Sequence, residues 1–270
     1  MKMTIGMAFL CAGVLLAQDA GEKTTVPLKD PSRPAVINAH LMAGGITVRG
    51  ADVKDVSVEA HMRSHESHES RDVHADGMRR LELPGNAGLE VEEDDNVVSI
   101  RTAHLNRPTD LVITVPRHSS LQLKCMNDGD IYVEQVEGEI EVNNLNGRVT
   151  LKNVAGSVIA HSLNGEVLAT LDRIDPSKPM SFSTMNGNID VTLPDSLKAN
   201  VRLKTDHGEI YSDFDVKLNT EPVVTTESGK QKDGTYHLRF DRTVRGTING
   251  GGPEFQFTTF NGQIYIRKRK

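Results

Sequence analysis

Four histidines, His61, His65, His68 and His74, lie close together in a stretch that also carries Glu66 and Glu69. Imidazole and carboxylate side chains together suit zinc or nickel. His61 and His65, four apart, would share a face if the segment were helical. Arg63 and Arg71 add positive charge to the same stretch and oppose a bound cation. A second set of candidates is acidic: Asp128, Asp130, Glu134, Glu139, Glu141 and Glu166. Carboxylates that cleave a polysaccharide must converge as an acid and base pair, or gather around calcium. Spread along the outer face of strands, the same residues keep a sheet soluble. Cys125 closes the run Leu121-Gln122-Leu123-Lys124-Cys125 on the phase of the leucines, as a buried thiol would. No glycine-rich phosphate loop followed by a helix is present, nor a Gly-x-Ser-x-Gly elbow. The expectation is a chain with no catalytic, cofactor-binding or metal-binding residues, with metal binding at His61, His65, His68 and His74 left open.

The elements that would position these side chains follow from a repeat. Gly129, Gly138, Gly147, Gly156 and Gly165 stand nine residues apart. After each glycine the second and fourth residues are apolar or small, as in Ile131 and Val133, Ile140 and Val142, or Val149 and Leu151. Polar residues alternate between them, the mark of strands with one buried face. One strand of about five residues and one corner of about four account for each repeat. Asn146-Gly147 and Asn164-Gly165 mark turns, and they interleave with Glu137-Gly138 and Ala155-Gly156, so two strands make a coil of about eighteen residues. Val136, Leu145, Val154 and Leu163 stand two before successive glycines, which predicts an inward side chain at each corner. An antiparallel meander with Asn-Gly hairpins is the competing reading, and the uniform corners favour a parallel β-solenoid. The stacked Asn-Gly corners are expected to hydrogen-bond to one another along the coil.

The pattern recurs at Gly44-Gly45-Ile46-Thr47-Val48, Asn186-Gly187, His207-Gly208 and Asn261-Gly262. It lapses over residues 64–80, a short helix or lid, and over 219–234, an excursion from the stack. A single domain over 35–270 is expected, with irregular coils at 35–116, regular coils at 117–214, and an excursion with C-terminal coils at 215–270. End segments would cap the open edges. Residues 18–34 are expected to be flexible. Before them, a lysine and an apolar run from Ile5 to Ala17 predict a signal peptide over 1–17, shorter than the ~20 residues of a spanning helix. Export to the periplasm, outer surface or medium follows. With Cys11 removed, Cys125 has no partner for a disulfide. The net charge of −6 argues against nucleic acid as partner, and Arg267-Lys268-Arg269-Lys270 reads as a solvated tail.

The segments Gly44 to Gly50, Val115-Pro116, the Asn-Gly-x-Ile/Val repeats and Gly246 to Gly252 together resemble a bacterial family of putative adhesins, a domain of unknown function made of β-strand repeats. That resemblance implies a β-helical fold and an envelope location, and it brings no catalytic residues. The expected function is a non-catalytic envelope or surface module that binds or scaffolds, with an envelope protein or a glycan as partner. A β-helical polysaccharide-active enzyme and an envelope-stress or assembly factor working with a membrane protein are the alternatives.

Overall fold

The computed structural model describes residues 22–63, 88–102, 108–219, 224–225, 239–240 and 243–270. The expected signal peptide and the expected helix or lid at 64–80 lie outside these residues, as does most of 219–234. Every regular element among the described residues is a strand. They run β1 (Glu22–Pro27), β2 (Ala35–Ala43), β3 (Ile46–Ala51), β4 (Asp55–Met62), β5 (Leu89–Asp94), β6 (Val97–Thr102), β7 (Thr109–Pro116), β8 (Ser119–Asn127), β9 (Ile131–Glu134), β10 (Glu137–Asn146) and β11 (Val149–Asn164). There follow β12 (Val167–Ile174), β13 (Met180–Asn186), β14 (Ile189–Leu193), β15 (Ala199–His207), β16 (Ile210–Ser212), β17 (Val216–Leu218), β18 (Val224–Thr225), β19 (Arg239–Phe240), β20 (Val244–Ile248), β21 (Glu254–Asn261) and β22 (Ile264–Lys268).

Alternation of Val, Ile and Leu with polar residues produces strands whose burial alternates too, as along Thr109–Pro116. Val133 and Val142 are fully buried, and Leu151 and Ala160 are 1% exposed. Two parallel ladders result. One runs β6, β2, β8, β10, β11, β13, β21, β15. The other runs β7, β3, β9, β11, β12, β14, β22, β16. The inward side chains of both form one continuous core. Each rung contributes one strand to each ladder, and the long β11 serves both, pairing through 149–152 on one side and 155–164 on the other. Ile131 lies beside Val149, and Val149 beside Val167.

The rungs do not stack in chain order. From one end to the other they run 97–116, 35–51, 119–134, 137–152, 155–171, 180–193, 254–268 and 199–212. The 35–51 rung is wedged between two later ones, and the 254–268 rung, expected at the end, is wedged before the 199–212 rung. Antiparallel strands close both ends. β4 covers β7 and β1 covers β4, while β5 covers β6. β20 covers β15 and β17 covers β20. Edge strand β5 carries Glu90, Glu92, Glu93 and Asp94, charges that oppose addition of another strand. β1 falls inside 18–34, so the segment expected to be flexible contributes a paired edge strand.

The corners also differ from the nine-residue reading. Val136 and Val154 turn inward and are fully buried, but Leu145 is 36% exposed and Leu163 is only partly buried. At the Asn-Gly corners the inward place belongs to Asn144 and Ser162. The corner at Val154 does not end a strand: β11 runs sixteen residues through Asn153, at φ 51°, and Gly156.

The β5–β6 hairpin turns through Asp95 and Asn96, at φ 49° and 67°, an arrangement that matches strand twist. Asn96 is 3% exposed. Its Nδ2 donates to the Asp30 carbonyl at 2.7 Å, and its Oδ1 accepts from the Asp30 N–H at 2.8 Å. Asn96→Ala is expected to destabilise the protein by about 2 kcal/mol, because it leaves those backbone groups unpaired. Chemical denaturation checks this.

Candidate functional site

Two hydrogen-bonded columns run along the Asn-Gly corners. In the outer one, Asn146 Nδ2 donates to Asn127 Oδ1 at 3.1 Å, Asn164 to Asn146 at 2.9 Å, Asn186 to Asn164 at 2.8 Å and Asn261 to Asn186 at 2.8 Å. The register then reaches His207, whose ring meets Phe260 edge-on with centroids 5.1 Å apart. The expected ladder of corner side chains is thus present. The inner column was not anticipated. Cys125 Sγ, Asn144 Nδ2, Ser162 Oγ, Thr184 Oγ1, Thr259 Oγ1 and Thr205 Oγ1 donate in turn to the carbonyls of Gly44, Gly129, Gly147, Gly165, Gly187 and Gly262, at 2.8 to 3.0 Å. Each corner carbonyl faces the core and needs a donor there. The sequence does carry that signal: Asn, Ser or Thr stands three before each of Gly147, Gly165, Gly187, Gly208 and Gly262.

A concave polar surface of about 570 Å³ lies near the 97–116 end, where Arg63, Asp110, Asp128, Asp130, Tyr132 and Asn146 meet. Four neighbouring rungs supply it. Asp110 comes from β7, Gly45 from the corner before β3, Asp128 and Asp130 from the corner between β8 and β9, and Asn146 from the end of β10. Arg63, one residue past β4, grips Asp110 with two hydrogen bonds, Nε to Oδ2 at 2.8 Å and Nη2 to Oδ1 at 2.7 Å. Its Nη1 donates to the Asp128 carbonyl at 2.6 Å. The Gly45 N–H donates to Asp110 Oδ1 at 2.7 Å, and the Arg148 N–H donates to Asp130 Oδ1 at 2.7 Å. Burial alone would raise the Asp110 carboxyl, but the Arg63 and Gly45 hydrogen bonds and the Arg63 charge hold it below the usual carboxylate value.

The sign of the resulting pH dependence follows. A carboxyl whose folded pKa is depressed contributes stability above its unfolded value, about 3.9, and that contribution is lost as pH falls through the lower folded value. The melting temperature of the native protein should therefore exceed that of Asp110→Asn by a constant margin above about pH 4, and the margin should shrink below it. Thermal unfolding from acid to neutral pH tests this.

The other acids do not converge. Glu134 accepts from Arg49 Nε at 3.1 Å and from the Tyr132 hydroxyl at 2.9 Å. Glu166 pairs with Arg148 at 3.0 Å. Both belong to the ladder of β9 and β12. Glu139 pairs with Lys178, and Glu141 accepts from Asn143, on the ladder of β10. Of the four histidines only His61 is described, exposed on β4 with Glu59 at 3.9 Å; His65, His68 and His74 lie outside the described residues. Cys125 points inward as expected, and burial pushes its thiol up to about 11. It is protonated and unreactive at neutral pH. Sequence reasoning missed Arg63 and Asp110 as a pair, since only the antiparallel β4–β7 contact brings them together.

No curated protein matches the chain. Among solved structures it is similar to a putative cell adhesion protein from Clostridium sporogenes ATCC 15579, with 11% identity and a TM-score of 0.44, covering 93% of this chain and 100% of that one. It is also similar to a putative adhesin from Bacteroides fragilis NCTC 9343, with 12% identity and a TM-score of 0.38, covering 93% of this chain and 98% of that one. The Toastrack DUF4097 family matches residues 109–249, from β7 through β20 and so through all the regular rungs. With more than half of its residues inside that match, the chain belongs to the Toastrack DUF4097 family.

Proposed function

We propose that the protein is a non-catalytic, exported module of the envelope or cell surface, a parallel β-solenoid of about eighteen-residue, two-strand coils that binds or scaffolds in the manner of an adhesin. Its partner is an envelope protein or a glycan. The coil length is supported by the registers Glu137 to Ala155 and Ile131 to Val149. Export is supported by the apolar run from Ile5 to Ala17.

The observation that carries the reading is the state of the carboxylates in the concave site. Asp110 is held ionised by two fixed donors, Arg63 and the Gly45 N–H, so it is a poor proton donor near neutral pH. Asp130 is engaged by the Arg148 N–H. Fixed polar groups beside the Tyr132 ring suit recognition of a neutral, hydroxyl-rich ligand.

The test is a glycan array probed with the chain lacking residues 1–17, read beside a hydrolysis assay on the same polysaccharides. Binding that falls at least tenfold in Tyr132→Ala and Arg63→Ala supports the proposal. Turnover abolished by Asp130→Asn or Glu139→Gln would replace it with an enzymatic reading.

A further inference from the structure

A stripe of exposed apolar side chains runs along the stack beside the asparagine column. The register aligns Met42, Met126, Leu145, Leu163, Met185 and Phe260, one from each of six successive rungs. Five of them are 36 to 46% exposed, and Leu163 is partly buried. Those five are a majority of the nine large hydrophobic residues exposed among the described residues, so the apolar surface is concentrated in this one row. The inner column explains their position. The residue preceding each of the five after Met42 must face inward to cap a corner carbonyl, as Leu41 faces inward before Met42, and strand alternation then sends the next one outward. It does not explain why that outward place holds Met, Leu or Phe in each of these six rungs, where a polar residue would serve, as Asp206 does in the 199–212 rung.

We infer that this stripe is the interface of a homodimer in which two copies pack side by side, stripe on stripe. Three observations favour a second copy as the occupant. The first is period: the stripe is a straight ridge with one side chain per rung, about 4.8 Å apart over about 24 Å. A surface that matches that spacing across six steps is another stack of rungs, and a two-fold axis supplies one.

The second is charge. The chain carries −6 and repels its own copies generally. Across these six rungs, however, the stripe and the two rows flanking it contain no carboxylate. One flank is His40, Lys124, Asn143, His161, Ser183 and Thr258, and the other is Ala43 followed by the asparagine column. The third is area. At about 40% exposure, the five exposed side chains offer roughly 400 Å², at the scale where an apolar patch marks an interaction site. With the flanking rows added, the face approaches the ~800 Å² that each partner contributes to a standard interface.

Sedimentation equilibrium on the chain lacking residues 1–17, over a wide concentration range, tests the inference. The expected result is a reversible dimer whose dissociation constant rises at least tenfold in Met126→Glu/Met185→Glu. Leu218→Glu, an exposed apolar residue on β17 away from the stripe, should leave it unchanged. Circular dichroism confirms that each variant remains folded. A cysteine placed by Leu145→Cys, near the middle of the stripe, should form an intermolecular disulfide under mild oxidation, while the buried Cys125 does not. A monomer at every concentration overturns the inference. So does a dimer that survives Met126→Glu/Met185→Glu, or one that Leu145→Cys fails to cross-link.

Discussion

Gly147→Ala is expected to cost about 3 kcal/mol or more and to lower the melting temperature by roughly 10 °C. A Cβ at Gly147 would stand 2.1 Å from the Gly129 carbonyl oxygen, a backbone atom of the neighbouring rung that cannot swing away. The residue also has φ +149°, which disfavours any L side chain. The clash repeats along the stack: a Cβ at Gly165 would lie 2.0 Å from the Gly147 oxygen, and one at Gly262 would lie 1.9 Å from the Gly187 oxygen. To admit the methyl group two rungs must separate at their corner. That lengthens the Ile131 N–H bond to the Arg148 carbonyl, now 2.9 Å, and unseats the Asn144 cap on the Gly129 oxygen. Differential scanning calorimetry of the variant would give the shift; a melting temperature within about 2 °C of the parent contradicts the account of the corners.

Phe257→Ala should be about as severe, at about 3–5 kcal/mol. Phe257 is fully buried and stacks on Phe182 of the adjoining rung, with centroids 5.3 Å apart and ring planes at 16°. Rungs filled mainly by Val, Ile and Leu have no large side chain free to fill the void, so most of the cavity persists. Phe257→Leu, which retains most of the volume, should cost less than half as much. The comparison by urea denaturation separates loss of packing from loss of the rung. If the two variants are equally damaging, the ring stack matters more than the filled volume.

Much of this architecture was legible in the sequence, because the forces that build a rung are local. Alternation in Ile131 to Glu134 and in Glu139 to Val142 is enough to say which side chains face the core. The glycine spacing is enough to place the corners. The asparagine column could be read because identical residues recur at identical places. The inward positions at Leu145 and Leu163 were misread because a period of nine treats two kinds of corner as one. At Val136 and Val154 the bend is apolar inside, whereas at the Asn-Gly corners a carbonyl faces inward and takes Asn144 or Ser162 as its donor. The order of the rungs was not legible at all. Any rung with an apolar face and a glycine corner fits any neighbour, so nothing within residues 35–51 announces that they sit between 97–116 and 119–134. The Arg63–Asp110 pair depends on that same long-range threading.

The threading has a consequence for synthesis. A ribosome releases residues 199–212 well before 254–268, yet the earlier segment has no parallel neighbour until the later one arrives. The later stretch is therefore a keystone: the nascent chain holds one flank of its core unsealed until residues 254–268 have emerged. Vectorial winding, rung upon emerging rung, serves only the middle of the molecule. A premature stop just before residue 254 would remove one rung and strand a second, 199–212.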